Sequence, residues 1–190
     1  MTVAAGEALS PEAAFRAWVA ADAATVSGRG LEALVIGATL GVPRSTWILP
    51  GRRERGCAIL RGCPPERLDQ SRPYRVVPPG NAPAQRALQG VGLAMTGDAS
   101  LVFLGSGSVS YGAFHEALQL AAARSLPVTF VVSWWVNEGP FAAQLAVPPA
   151  RLAEAVGLAA TVVDATDEAA VRAAVGAGVG LVQAELRGRG

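Results

Sequence analysis

A strand–helix–strand unit over residues 101–137 constrains the fold of this chain more than any other feature. An apolar β-type run, Leu101–Leu104, ends in the glycine turn Gly105-Ser106-Gly107, and a helix-period run, Tyr111–Arg124, follows it. A second apolar β-type run, Val128–Val132, comes next. Two such runs joined by a helix predict neighbouring parallel strands with a crossover helix between them.

The same alternation continues towards the end of the chain. Further strands are predicted at Ala160–Val163 and Leu181–Glu185, and further helices at Pro149–Val156 and Glu168–Val175. Strands that alternate with helices in this way are typical of a parallel sheet whose two faces are covered by helices. The predicted fold class is therefore α/β.

The first half of the chain reads mainly as helix. Helices are predicted over Pro11–Ser27, from Leu31 to a stop before Pro43, over Glu54–Arg61 and over Ala84–Met95. The link Val76–Pro83 has room for one short strand. Glycine inside a helix costs about 1 kcal/mol relative to alanine. Gly90 and Gly92 therefore indicate that the last of these helices makes close backbone contact with another part of the molecule.

Length and composition predict one domain, residues 1–190, with a sizeable core. Hydrophobic residues make up 51% of the chain and charged residues 16%, and the net charge is +1. The basic residues do not form one long run, which argues against nucleic-acid binding. Cys57 and Cys63 fit neither a CxxC redox motif nor a zinc pair, so we interpret them as structural thiols.

The chain carries no segment that predicts a membrane or secreted location. The first residues lack an early basic group, and Glu7 interrupts their apolar stretch, which makes a poor signal peptide. The longest apolar run, Val128–Val136, is too short to cross a bilayer. We expect a cytoplasmic protein that does not contact a membrane.

Seven short motifs follow one another in a fixed order between Thr46 and Glu185. They are WILPGRRERG at 47–56, GVGLA at 90–94, GSG at 105–107, GAFHEAL at 112–118, LPV at 126–128, WW at 134–135 and DATDEAAV at 164–171. In order and spacing this series resembles the alpha subunits of thiamine-diphosphate-dependent 2-oxoacid dehydrogenases, the family of pyruvate, branched-chain and acetoin dehydrogenases.

The resemblance implies a three-layer α/β/α thiamine-diphosphate-binding fold with a mostly parallel central sheet. Residues 46–186 are the family-like core, and residues 1–45 are a helical N-terminal segment. In the family the alpha subunit grips the diphosphate through Mg²⁺, and a beta subunit supplies the glutamate that activates the cofactor. A homodimer, or a heteromer with a beta-type subunit, is the assembly that the resemblance implies.

The resemblance also assigns residues to the cofactor site. They are Arg52, Arg53, Gly90, Gly92, Gly105, Ser106, Gly107, Trp135 and Asn137. The family has Gly-Asp-Gly where this chain has Ser106 between its glycines, and Asn-Asn where it has Trp134-Trp135. It has a Tyr-Arg pair at Arg52-Arg53, so a tyrosine is replaced while the second basic position is kept.

The two replacements at 106 and 135 fall on metal-binding positions. Mg²⁺ takes about six oxygen ligands, commonly with one or two carboxylates among them. Ser106 offers only a neutral hydroxyl, and the indole of Trp135 is a donor without any oxygen. Asn137 lies two residues further along, where a strand side chain faces the same way, and it is an alternative carbonyl ligand. We therefore predict no protein-bound metal and no bound cofactor.

No catalytic residue is predicted either. The chain contains one histidine, His115, within the predicted helix Tyr111–Arg124, where a structural role is the better interpretation. In the family the chain continues into an active-site loop that contains histidine, whereas this sequence stops at Gly190. No other side chain is an obvious general base for decarboxylation.

Three functions remain open from the sequence. The first is a degenerate, shortened alpha-subunit-like pseudoenzyme with a structural or regulatory role. The second is a working thiamine-diphosphate-dependent dehydrogenase subunit that needs a beta-type partner. The third is a binding module for another phosphorylated or anionic ligand, because the glycine turn at 105–107 precedes a helix N-terminus and Arg52 and Arg53 add positive charge.

Overall fold

A computed structural model describes residues 9–21, 31–80, 82–136 and 145–187. Within them five strands form one sheet, all in parallel pairings and in the order β1-β2-β3-β5-β4. The strands are β1 Trp47–Leu49, β2 Ser100–Gly105, β3 Val128–Trp135, β4 Ala160–Asp164 and β5 Leu181–Leu186. The helices are α1 Pro11–Ala21, α2 Leu31–Gly41, α3 Cys57–Leu60, α4 Gln85–Met95, α5 Gly112–Ala123, α6 Pro149–Ala155 and α7 Glu168–Gly176.

Helices cover both faces of the sheet, as the predicted α/β class requires. In β2, Leu101 and Phe103 point into an apolar cluster with α1, α2, α3 and α7, which we call the first layer. Val102 and Leu104 point the opposite way, into a second cluster with α4, α5 and α6, which we call the second layer. The alternation of side chains along each strand thus divides the core into two halves.

The strands predicted after residue 100 are confirmed, and β3 continues three residues further than expected, to Trp135. Strand β1 was missed because three residues next to Pro50 are too few to show a period. Val76 makes a single bridge with Ile48, so the predicted link holds no longer strand among its described residues.

The predicted helix Glu54–Arg61 is wrong in its first half. Only Cys57–Leu60 is helical, and residues 52–56 form turns. The backbone N–H groups of Cys57, Ala58 and Ile59 donate three residues back, to the carbonyls of Glu54, Arg55 and Gly56. Bonds between residues three apart belong to turns and 3-10 geometry rather than to an α-helix.

The carboxyl ends of β1 and β2 form a topological switch point of the sheet. After β1 the chain enters α3 in the first layer, whereas after β2 it passes into α5 in the second layer. Adjacent strands whose connections leave towards opposite faces mark the position where open parallel sheets bind ligands. Sheet topology therefore makes this edge the candidate functional site.

Helix α4 approaches the sheet very closely at one of its two glycines. A Cβ at Gly90 would collide with Cγ2 of Val102 and would lie 3.3 Å from Oγ of Ser100. The hydroxyl of Ser100 also donates to the carbonyl of Gly90 at 3.0 Å. Gly92 lies in the same helix but is exposed, and no atom lies within 4 Å of the position of its Cβ. The close contact inferred from the sequence is therefore made at Gly90.

We predict opposite effects for alanine at these two positions. Gly90→Ala should lower the free energy of unfolding by about 1–3 kcal/mol, because an added methyl group must displace a β2 side chain. Gly92→Ala should raise it by about 0.5–1 kcal/mol through helix propensity alone. Urea unfolding of both variants measures the difference, and equal effects at the two positions would contradict the packing of α4 on β2.

Candidate functional site

Ser106 follows directly after β2, at the carboxyl edge of the sheet. Its hydroxyl donates to the carbonyl of Ser133 at 3.0 Å and accepts from the backbone N–H of Trp135 at 3.1 Å. The residue is buried, with 7% of its surface exposed. One donor and one acceptor position of this hydroxyl are thus used within the protein, which joins the ends of β2 and β3.

The two glycines beside Ser106 differ in their local structure. Gly105 ends β2 opposite Ser133, with a φ of −96° that any residue adopts. A Cβ there would lie 3.8 Å from the Ser133 hydroxyl, so the described surroundings do not require glycine. Gly107 lies within the single 3-10 turn Ser106–Ser108, which leads on to α5. The predicted glycine turn is therefore a short helical turn.

Trp134 and Trp135 extend β3 beyond its predicted end. They pair with Glu185 and Leu186 of β5, and both are half-buried. Because neighbouring strand residues face opposite sides, Trp134 packs against the second layer and Trp135 against the first. The indole of Trp135 therefore joins an apolar cluster. Asn137, the alternative ligand, lies outside the described residues.

The loop after β1 carries the two predicted arginines. Arg52 and Arg53 are exposed on this loop, whereas Gly51 and Glu54 beside them are buried. Burial raises the pKa of the Glu54 carboxyl above its usual 4.5, and the nearby Arg86 guanidinium opposes that rise. The loop thus directs its arginines outwards and its only acid inwards.

Arg86, which the sequence analysis did not single out, lies at the start of α4 beneath this loop. Only 7% of its surface is exposed, and its Nη1 donates to the carbonyl of Phe103 in β2 at 2.8 Å. Burial lowers the pKa of its guanidinium, while Glu54 acts in the opposite direction. The sequence did contain a signal for a special role of Arg86, because it is the only charged residue in the run Ala84–Met95.

The remaining titratable candidates do not reach this edge. His115 is half-buried in α5, and its ring meets the edge of Phe114 at 5.8 Å between centroids. Cys57 and Cys63 are buried free thiols, and burial raises the pKa of both. A thiol with a raised pKa is a poor nucleophile at neutral pH. Across the described residues, no group of three or more His, Cys, Asp or Glu is arranged to hold a metal ion.

The donor set at this edge does not fit a divalent metal that carries a diphosphate. Mg²⁺ needs oxygen ligands in octahedral geometry and is usually held by carboxylates together with phosphate oxygens. Among the predicted metal positions that the structure describes, Ser106 is bonded within the sheet and Trp135 presents no oxygen. The nearby carboxylate of Glu54 is buried against Gly51 and Arg86.

Comparison with protein families matches residues 73–180 to the dehydrogenase E1 component family. The match covers more than half of the chain. The chain belongs to this family. The matched segment includes α4, the turn after β2 and the strands β2 to β4, whereas β1 and β5 lie outside it.

Curated relatives of the E1-family chain include the 3-methyl-2-oxobutanoate dehydrogenase subunit alpha of two Mycobacterium tuberculosis strains, CDC 1551 / Oshkosh and ATCC 25618 / H37Rv. Each is 31% identical over 185 residues. The alignments cover 82% of this chain and 50% of each relative, so the chain spans about half the length of the curated relatives it matches.

Over residues 9–21, 31–80, 82–136 and 145–187, no helix combines the length and the apolar character that crossing a bilayer requires.

The Ser106 hydroxyl should contribute measurably to stability. Ser106→Ala removes both of its hydrogen bonds and leaves their partners at a buried strand end, so we expect the free energy of unfolding to fall by about 1–3 kcal/mol. Ser106→Thr keeps the hydroxyl and serves as the control, with a smaller loss. Urea unfolding at neutral pH measures both, and an unchanged stability in Ser106→Ala would contradict the described bonding.

Glu54 should give the protein a specific dependence on pH. A carboxyl whose pKa is raised on folding contributes stability that is fully present below its unfolded pKa of about 4.5 and is lost as the pH rises through the folded value. Relative to Glu54→Gln, the wild-type protein should therefore lose melting temperature as the pH rises above 4.5. A relative gain over this range would show that attraction to Arg86 outweighs burial.

Proposed function

We propose that this E1-family chain keeps the alpha-subunit fold but does not bind Mg-thiamine diphosphate, and that its role is structural or regulatory. It would act in association with a beta-type subunit or with a second copy of itself. Support comes from the chemistry of the sheet edge that carries Ser106 and Trp135, two of the predicted cofactor-site residues.

The hydrogen bonding of Ser106 carries the proposal. The resemblance expects an aspartate at this position, whose carboxylate would face a cation. Here the side chain instead donates to the carbonyl of Ser133 and accepts from the N–H of Trp135. These bonds use the proton of the hydroxyl and one of its two lone pairs, so a metal at this buried position could bind only through the second lone pair. A neutral hydroxyl would also leave the charge of the ion uncompensated.

Trp135 supports the same proposal from the neighbouring strand. Its indole offers one N–H and no acceptor oxygen, so it cannot replace an asparagine carbonyl as a ligand. The side chain also packs against the apolar cluster of the first layer. Moving this side chain aside to admit a metal would expose apolar surface to water, which costs about 25 cal/mol of free energy for each Å² exposed.

Isothermal titration calorimetry with thiamine diphosphate tests the proposal, with and without Mg²⁺. The wild-type protein should show no saturable heat up to millimolar cofactor. Metal-dependent binding at micromolar concentrations would refute the proposal. A far-UV circular dichroism spectrum recorded before the titration shows whether the sample is folded, so that absence of heat is not caused by unfolded protein.

A double variant tests whether restoring the two ligand positions also restores cofactor binding. Ser106→Asp combined with Trp135→Asn restores two oxygen ligands and removes the indole, so we expect Mg²⁺-dependent heat that the wild-type protein lacks. Aspartate cannot donate to the Ser133 carbonyl, and the variant should therefore also be less stable. A folded double variant that binds nothing would show that the loss extends beyond these two positions.

A working dehydrogenase subunit is the second candidate, because the relatives carry the name 3-methyl-2-oxobutanoate dehydrogenase subunit alpha. Such a subunit would need a beta-type partner for the catalytic glutamate. Decarboxylation of 3-methyl-2-oxobutanoate by the chain mixed with a beta-type subunit, compared with either protein alone, decides between the two candidates. Activity only in the mixture would favour the enzyme.

A further inference from the structure

Strand β4 lies at one end of the sheet, where β5 is its only neighbour among the strands that the structure describes. Proteins commonly protect such a strand with a proline, a charged side chain or a bulge, because its unpaired N–H and C=O groups bind other strands. The run Ala160–Val163 contains no proline and no charge, and its register with β5 is continuous. The outer side of β4 therefore carries none of these protections until Asp164.

The hydrogen bonds to β5 determine which backbone groups of β4 face outwards. The carbonyl of Ala159 accepts from β5 at 3.1 Å, and the N–H of Ala165 donates to β5 at 2.9 Å. Alternate residues of a strand direct their N–H and C=O groups to the same side, so the odd-numbered residues of β4 bond β5. The N–H and C=O groups of Ala160 and Val162 consequently point away from the sheet.

Val162 adds an exposed apolar side chain to these outward backbone groups. It faces the same side of the sheet as Ala160, which packs against the second layer. Helix α6 belongs to that layer, yet 52% of the surface of Val162 is exposed. A single exposed valine is ordinary on a protein surface. Here it stands at the centre of a strand whose outer backbone groups are open, so one further strand would satisfy the backbone and cover the side chain together.

The sequence of β4 matches itself when two copies run antiparallel. With a two-fold axis at Val162, this residue lies opposite Val162 of the second copy, and the two exchange N–H···O bonds in both directions. Ala160 then lies opposite Asp164 of the second copy, so no two like charges face each other. The valines form a direct cross-strand pair, which stabilises such a contact. A second copy of this chain is therefore the partner that the outer side of β4 fits.

We propose that β4 is the dimerisation strand of this chain and pairs antiparallel with β4 of a second copy, which joins two sheets into one. This pairing gives a defined surface to the second-copy association in the proposed function. It does not involve Ser106 or Trp135, so the two proposals fail separately. Cofactor binding in calorimetry would leave the dimer standing, and a monomeric protein would leave the loss of cofactor binding standing.

Sedimentation velocity tests for the dimer over a series from about 10 µM to about 1 mM protein, because contacts below about 1,200 Å² are typically weak. The wild-type protein should change from monomer to dimer across the series. Val162→Arg and Val162→Glu should each weaken the association by about 10-fold or more, because two like charges then face each other. Met95→Arg, at a residue of α4 that is 51% exposed, is the matched control and should dimerise like the wild type.

Mixing the two charged variants tests the register. In a heterodimer of Val162→Arg with Val162→Glu, opposite charges face each other across the axis, so the mixture should associate about 10-fold more tightly than either variant alone. Both variants should melt like the wild type, since Val162 is exposed, and loss of the dimer is then not caused by unfolding. A wild-type protein that stays monomeric throughout the series would overturn the proposal. A dimer that both substitutions leave intact, or a mixture no tighter than its components, would overturn it as well.

Discussion

One hydroxyl group joins the carboxyl ends of β2 and β3, and the arrangement of the candidate site depends on it. Ser106 donates to one strand-end carbonyl and accepts from one strand-end N–H, so it satisfies two backbone groups at a position where β2 has already ended. Ser133 adds a third bond in the same place by donating to the carbonyl of Leu104 at 3.2 Å. The hydroxyl groups of Ser106 and Ser133 are thus bonded to backbone groups of β2 and β3 and stabilise the sheet at this edge.

The same inward use of polar groups recurs beside the loop after β1. Glu54 and Arg86 are both buried next to Gly51, whereas Arg52 and Arg53 lie on the surface. Burying a charged group is costly unless other groups satisfy it, and Arg86 is satisfied by the carbonyl of Phe103. Under the proposed function, the E1-family fold is kept although its edge no longer holds a metal.

Elements that depend on residues close together in the sequence were predicted correctly, and features that depend on distant residues were not. Strands β2 to β5 and the helices between them were predictable because their periodicity is local. Strand β1 was too short to show a period. Turns replaced the first half of the predicted helix Glu54–Arg61, because the backbone bonds there join residues three apart. Gly90 was correctly expected to make a close contact, although Val102 as its neighbour could not be foreseen.

The candidate site was predictable in position but not in bonding. The motifs brought Ser106 and Trp135 to the ends of neighbouring strands, and β2 and β3 do place them together. The bonds of Ser106 to Ser133 and Trp135 join residues 27 and 29 positions apart, so no local sequence pattern predicts them. Arg86 was overlooked because its partner, the carbonyl of Phe103, lies 17 positions away in β2.

The proposed loss of cofactor binding rests on the bonding of this edge within the protein. The tryptophan indoles test it most directly in a ¹⁵N-labelled sample titrated with thiamine diphosphate and Mg²⁺. Trp134 and Trp135 report on the edge, and Trp47, whose indole donates to Asp98, serves as the control. We expect unchanged indole cross-peaks up to millimolar cofactor. A saturable, Mg²⁺-dependent shift of the Trp135 cross-peak, with Trp47 unmoved, would contradict the proposal.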